Sequence, residues 1–233
     1  VTSAVLIVAC GVPLAGKPDI KGAARTVVEN DPGLSAALRE AAKHRGYWLL
    51  TLGFFVCGSH VAFVGVHLPA YLTDIGMSGE WGAWSLALIG LFNVVGSFVA
   101  GILGDRFRKK NLLSILYILR SVVIFLFIMI PVSPITVMLF SATLGLLWLS
   151  TVPLTSGLVA QMFGTRYMGT LFGIVFLNHQ IGSFLGVWLG GYFYDTTGSY
   201  MPVWWAGVAL GIIAAIVHWP IRDEMPAVEA RPA

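Results

Sequence analysis

The chain has 233 residues, 57% of them hydrophobic and only 11% charged, with a mean hydropathy of +0.84 and a formal net charge of +3. So little polar surface cannot solvate a globule of this size, which argues against a water-soluble domain, and the small net charge gives little support to a nucleic-acid partner. Apolar runs continue for about twenty residues at a time, so the natural solvent of the chain is lipid.

Residues 1–13 form an apolar run too short to span a bilayer, with neither a starting Met nor the basic flank of a signal peptide. They are expected to be the end of a truncated transmembrane helix, so the chain is read as a piece of a longer protein. Residues 14–46 are polar and read as a linker in which Asp31 and Pro32 start a short helix carrying Leu34 and Leu38 on one side and Arg39, Glu40 and Lys43 on others. Six full spans follow, over 47–73, 83–104, 111–130, 135–159, 169–192 and 202–219, and residues 220–233 form a tail. The predicted fold is thus an all-α polytopic membrane protein, a six-transmembrane-helix bundle over 47–219. Cys10 and Cys57 both lie in apolar runs and read as buried free thiols, without disulfide or metal spacing.

Orientation follows from the cations. Thirteen of the fourteen Lys and Arg fall in alternate connections: six from Lys17 to Arg45, then Arg106, Arg108, Lys109 and Lys110, then Arg166, then Arg222 and Arg231. The opposite connections hold only Asp74, Glu80 and Asp195. The positive-inside rule then puts linker, hairpin and tail on the cytoplasmic side, and the expected location is the plasma (cell inner) membrane.

Between the second and third spans runs Gly101-Ile-Leu-Gly-Asp105-Arg106-Phe-Arg108-Lys109-Lys110. With six spans around it, this hairpin resembles that of the C-terminal half of a major facilitator superfamily transporter. Gly101, Asp105, Arg106, Lys109 and Lys110 fit the family pattern, while Arg108 stands where the pattern has a second Gly. The resemblance implies a missing N-terminal six-helix half, a site between halves and alternating access, with Asp105 and Arg106 latching cytoplasmic helix ends. The run from Gly169 to Tyr200, with Asn178-His179-Gln180 and Asp195-Thr-Thr-Gly-Ser-Tyr200, resembles the monocarboxylate and oxalate/formate branch. Animal monocarboxylate carriers place an acidic and a basic residue one turn apart in the eighth span; those positions align with Asn93 and Ser97, so that charged pair is absent here.

Arg120 is the only Lys or Arg inside a span. About ten residues from the hairpin, it lies ~15 Å deep, near the middle of a ~30 Å core, where a charge costs from ~3 to more than ~10 kcal/mol unless hydrated or paired. No Asp or Glu lies within the six predicted spans, so its counter-charge is a substrate anion, a carboxylate of the missing half, or a set of carbonyls, hydroxyls and waters. The superfamily arrangement puts this ninth span outside the central cavity, which leaves a helix-stitching role open, with Tyr117 one turn away as a shield.

His60, Val64, His67 and Tyr71 recur at helical spacing on the first full span and are expected to form its wet face. A proton relay and simple interhelical hydrogen bonding are both open for the two His, whereas a metal site is not supported, because they lie two turns (~10 Å) apart with no other ligand. His179 shares a face with Gly182, Gly186 and Gly190, a ladder for close helix packing, while Gln180, about 100° round, points elsewhere. In the fourth span Pro153 is expected to kink the helix toward its cytoplasmic end, and Trp148 is placed to stack on or cap a substrate. These residues support secondary transport of a small organic anion, a monocarboxylate by resemblance, with coupling to protons or exchange. Efflux of hydrophobic or drug-like molecules and a non-transporting receptor of the same fold are the alternatives. No enzyme is expected, since no catalytic set assembles at a common depth, and no cofactor is called for.

Overall fold

Uninterrupted apolar sequence and a few local stop signals decide where the helices run. The computed structural model describes residues 33–222. The chain divides into two units, Val1–Gly33 and Leu34–Ala233, and the described residues belong to the second apart from Gly33 itself. The expected span end over 1–13, Cys10, most of the linker and the tail beyond Arg222 lie outside the described residues.

The helices in order are α1 Gly33–Lys43, α2 Arg45–Asp74, α3 Gly79–Arg106, α4 Lys109–Met129, α5 Pro134–Leu147, α6 Thr151–Phe163, α7 Met168–Thr197 and α8 Met201–His218. Among the described residues, six segments are long and apolar enough to cross a membrane: α2, α3, α4, the continuous stretch Pro134–Phe163, α7 and α8. Several overrun the predicted bounds, because helical geometry persists past the hydrophobic core until a cap stops it. His44 caps α2 by accepting the Tyr47 N–H at Nδ1 (3.2 Å). Ser133 and Thr136 form a reciprocal capping box at α5, with Pro134 in the first turn. Gly198 ends α7 in the left-handed region (φ 69°), which a side chain would disfavour.

Three helix pairs make the most extensive contacts: α2 with α7, α3 with α5, and α4 with α8. Helix α2 also meets α3, α6 and α8, so it stands at the centre of the bundle. The glycine ladder of α7 faces α2: a Cβ on Gly182 would meet the Phe55 carbonyl, and one on Gly186 the Ser59 carbonyl, 2.5 Å away. Gly58 of α2 lies equally close under the His179 carbonyl. Helices in lipid gain nothing from apolar burial against each other, so such backbone proximity supplies the dispersion contact that holds them.

Two apolar cores fill the bundle, one around Tyr47, Phe54, Leu113, Leu158 and Val175, the other around Phe63, Ile124, Phe140, Val203 and Trp204. On α2, α4 and the fourth span the two cores are separated, in sequence, by polar residues: His60, then Arg120 and Ser121, then Ser150 and Thr151. The outward faces carry exposed Leu91, Phe98, Leu139 and Ile216, a surface suited to acyl chains.

Candidate functional site

The polar layer between the cores is built around a break in the fourth span. Pro153, the third residue of α6, has no N–H to give the Leu149 carbonyl, and its ring crowds that carbonyl. The helix therefore stops at Leu147 and restarts at Thr151, and Leu149 accepts from Val152 N instead (2.9 Å). The expected kink is present but sits near the middle of Pro134–Phe163, not at an end, because a proline disturbs the turn preceding it.

Two neighbouring helices satisfy the groups this break exposes. Arg120 of α4 is 1% exposed, and its Nη2 donates to the carbonyls of Leu147 and of Trp148 (2.7 Å). Asn93 of α3 serves the opposite polarity: its Oδ1 accepts the Leu149 N–H (3.0 Å) and the Ser97 hydroxyl (3.3 Å). Asn93, steadied by Ser97, thus clamps the backbone at the break. Arg120 Nε and Nη1 are buried without a partner among the described residues, and its Cζ stands 5.4 Å from the Tyr117 ring centre. Cys57, His60 and His179 lie within Coulombic reach of the guanidinium.

The sequence gives no direct signal for the contacts around Cys57. Its sulfur lies 3.1 Å from Thr151 Oγ1, at the first turn of α6. Tyr117 donates to the Gly53 carbonyl (2.8 Å), and its ring stacks on His218 at 5.0 Å and 23°. A side chain at Gly53 would occupy the His218 ring, so this glycine admits the histidine.

The expected wet face of α2 is instead its packed face. His60 is 4% and His67 9% exposed, and Val64 is buried. His60 Nε2 lies 2.8 Å from the Gly207 carbonyl and His67 Nε2 2.9 Å from that of Val187. A carbonyl only accepts, so both Nε2 atoms carry a proton, and His60 Nδ1 is left buried without a partner. The spacing identifies one face correctly but does not tell inside from outside. Tyr71 is half-buried within an aromatic group, its ring 5.8 Å from Trp204 and 6.1 Å from Phe127.

His179 is buried against Phe54 (4.7 Å), and its Nδ1 donates to Gln180 Oε1 (3.1 Å). Gln180 is exposed, yet it folds back to this bond where the helical angle had separated the two. Trp148 is half-buried, and a Cβ on Gly65 of α2 would stand 4.0 Å from its ring. An apolar cleft of about 210 Å³ runs beside the break, lined by Gly96, Val99, Leu103, Leu116 and Leu147 among others.

At the hairpin, Lys109 Nζ donates to the Gly104 carbonyl (2.8 Å), tying the end of α3 to the start of α4, and Lys110 Nζ reaches the Trp219 carbonyl (3.4 Å). Asp105 and Arg106 are exposed, and a Cβ on Gly101 would meet nothing within 4 Å. No group of three or more potential metal ligands occurs among the described residues.

The Major Facilitator Superfamily model matches the chain over residues 1–187 and again over 50–233. The chain belongs to the major facilitator superfamily. Among characterised and uncharacterised superfamily members, it is similar to the uncharacterized MFS-type transporter YcxA of Bacillus subtilis, at 29% identity over 79% of this chain and 49% of that protein. It is similar to monocarboxylate transporter 12 of Mus musculus at 25% identity, over 77% of this chain and 42% of the transporter. The quinolone resistance protein NorA of Staphylococcus aureus is 29% identical over 73% of this chain and 43% of NorA. The chain spans about half the length of the curated relatives it matches. Superfamily membership and six apolar helices make it a multi-pass membrane protein.

Proposed function

We propose that the whole protein is a secondary transporter that moves a small organic anion, a monocarboxylate, by alternating access coupled to protons or exchange. Arg120 carries this reading: a fixed positive charge in the middle of the bundle, with two donors unpartnered, and no acidic side chain inside the helices' apolar stretches, among the described residues. Burying such a charge costs several kcal/mol, and two carbonyl acceptors offset only part of it. An anion admitted to the layer supplies the missing charge. His60 Nδ1, buried without a partner among the described residues, is the proposed proton acceptor; the Arg120 charge opposes its protonation, and an anion bound beside Arg120 is what would let it take the proton. In this reading the second half of the site comes from a preceding six-helix half, and the exposed Asp105 and Arg106 meet that half at the cytoplasmic side of the plasma membrane. Similarity to monocarboxylate transporter 12 supports the substrate class.

Efflux of hydrophobic molecules is the second reading. The apolar cleft beside the break and the similarity to NorA favour it.

The test is uptake of labelled small carboxylates into proteoliposomes holding the full-length protein, with and without an inward proton gradient. Saturable, gradient-driven uptake that Arg120→Gln abolishes, in protein of unchanged folding, is the expected result. Absence of uptake for every carboxylate, together with extrusion of a lipophilic dye, would establish the second reading.

A further inference from the structure

At the end of the bundle that carries the basic hairpin, two cavities meet at Pro220. One is an apolar groove of about 400 Å³ between α4 and α8, lined by Ser114, Ile118, Ile212, Ala215, Ile216 and Trp219. The other, also about 400 Å³, is polar and lined by His44, Arg45, Gly46 and Arg222. Pro220 lines both, so an apolar trough opens at its end into a basic basin.

The chemistry of the two parts differs as the parts of one molecule do. Ile118, Ile212 and Ile216 are 48%, 48% and 66% exposed, which leaves room for an acyl chain lying along the helices. Trp219, 67% exposed, stands at the junction, where an indole ring suits the boundary between hydrocarbon and headgroups. Beyond it, two guanidinium groups line the basin, and neither is ion-paired to a carboxylate among the described residues. Lys110 adds a third cation, since its Nζ reaches the carbonyl of Trp219 (3.4 Å). The first turn of α2, a 30-residue helix, forms the remaining wall and presents the positive end of its dipole.

We propose that this trough and basin form a binding site for one anionic phospholipid, its acyl chain between α4 and α8 and its phosphate on Arg45, Arg222 and Lys110. The site is independent of the transported substrate. It ties the lipid to both ends of the bundle's chain path, the entry to α2 and the exit from α8, and to the hairpin through Lys110. Basic pockets between membrane helices bind acidic headgroups through this combination of charge and apolar contact.

The experiment is native mass spectrometry of the full-length protein released from neutral detergent, titrated with phosphatidylglycerol or with phosphatidylcholine of the same acyl chains. Wild type is expected to hold one phosphatidylglycerol in preference to phosphatidylcholine. At about fivefold per basic side chain near a headgroup, the pair Arg45→Gln and Arg222→Gln should weaken that first binding step roughly 30-fold. The pair Arg45→Lys and Arg222→Lys should keep most of it, and Arg166→Gln, in a different connection, should leave it unchanged. Equal binding of the two lipids by wild type would overturn the proposal, as would unaltered phosphatidylglycerol binding in a folded Gln pair. Should the Gln pair not fold, a loss of lipid preference in the Lys pair would overturn it equally, because charge is what the basin supplies.

Discussion

Replacing Gly186 by Ala tests whether backbone proximity holds α2 to α7. The new Cβ would stand 2.5 Å from the Ser59 carbonyl oxygen and 3.0 Å from Ser59 Cα, and backbone atoms have no rotamer by which to yield. Ordinary contact begins near 3.4 Å, so the helices must part by about 0.9 Å at this level. A gap of that size forfeits a quarter to a half of each dispersion well it touches, and overpacking of this kind costs typically ~1–3 kcal/mol. Gly173, on the same helix, has nothing within 4 Å of its Cβ position, so Gly173→Ala should gain ~0.5–1 kcal/mol from reduced backbone freedom. The two variants should therefore differ by about 1.5–4 kcal/mol in equilibrium unfolding from mixed micelles, with opposite signs relative to wild type. Equal stability of the pair would refute the close-approach account of the α2–α7 contact.

Asn93→Ala should cost ~0.5–1.5 kcal/mol, because it removes the acceptor of the part-buried Leu149 N–H. In a double-mutant cycle with Arg120→Gln it should show a coupling of ~0.5–3 kcal/mol, since both side chains hold one break; the Asn178→Ala control, which loses a bond to the Thr51 carbonyl, should be additive with Arg120→Gln. Tyr117→Phe should lose ~0.6–1.7 kcal/mol with its bond to the Gly53 carbonyl, measured by the same unfolding assay; no change would mean that hydroxyl is satisfied elsewhere.

Much of this molecule is one-dimensional information. Six spans, the alternation of Lys and Arg between connections, the hairpin at 101–110 and the mid-depth position of Arg120 are all legible in the sequence, because the bilayer selects by length of apolar run and by charge along the chain. The glycine ladder at 182, 186 and 190 is legible too, because small residues at helical spacing let another helix come close. What the sequence left open is direction around each helix axis. In water the polar face of a helix points outward, but in lipid both faces are apolar and the pattern loses its sign. The stripe of His60, Val64 and His67 was therefore visible as a stripe, while only the packing of α7 and α8 against it turned it inward. Likewise Arg120 and Pro153 announced a buried charge and a disturbed helix separately. Only the tertiary structure brought the guanidinium of α4 and the amide of α3 to the same three residues, because pairing a freed carbonyl with a donor depends on which helices stand next to each other.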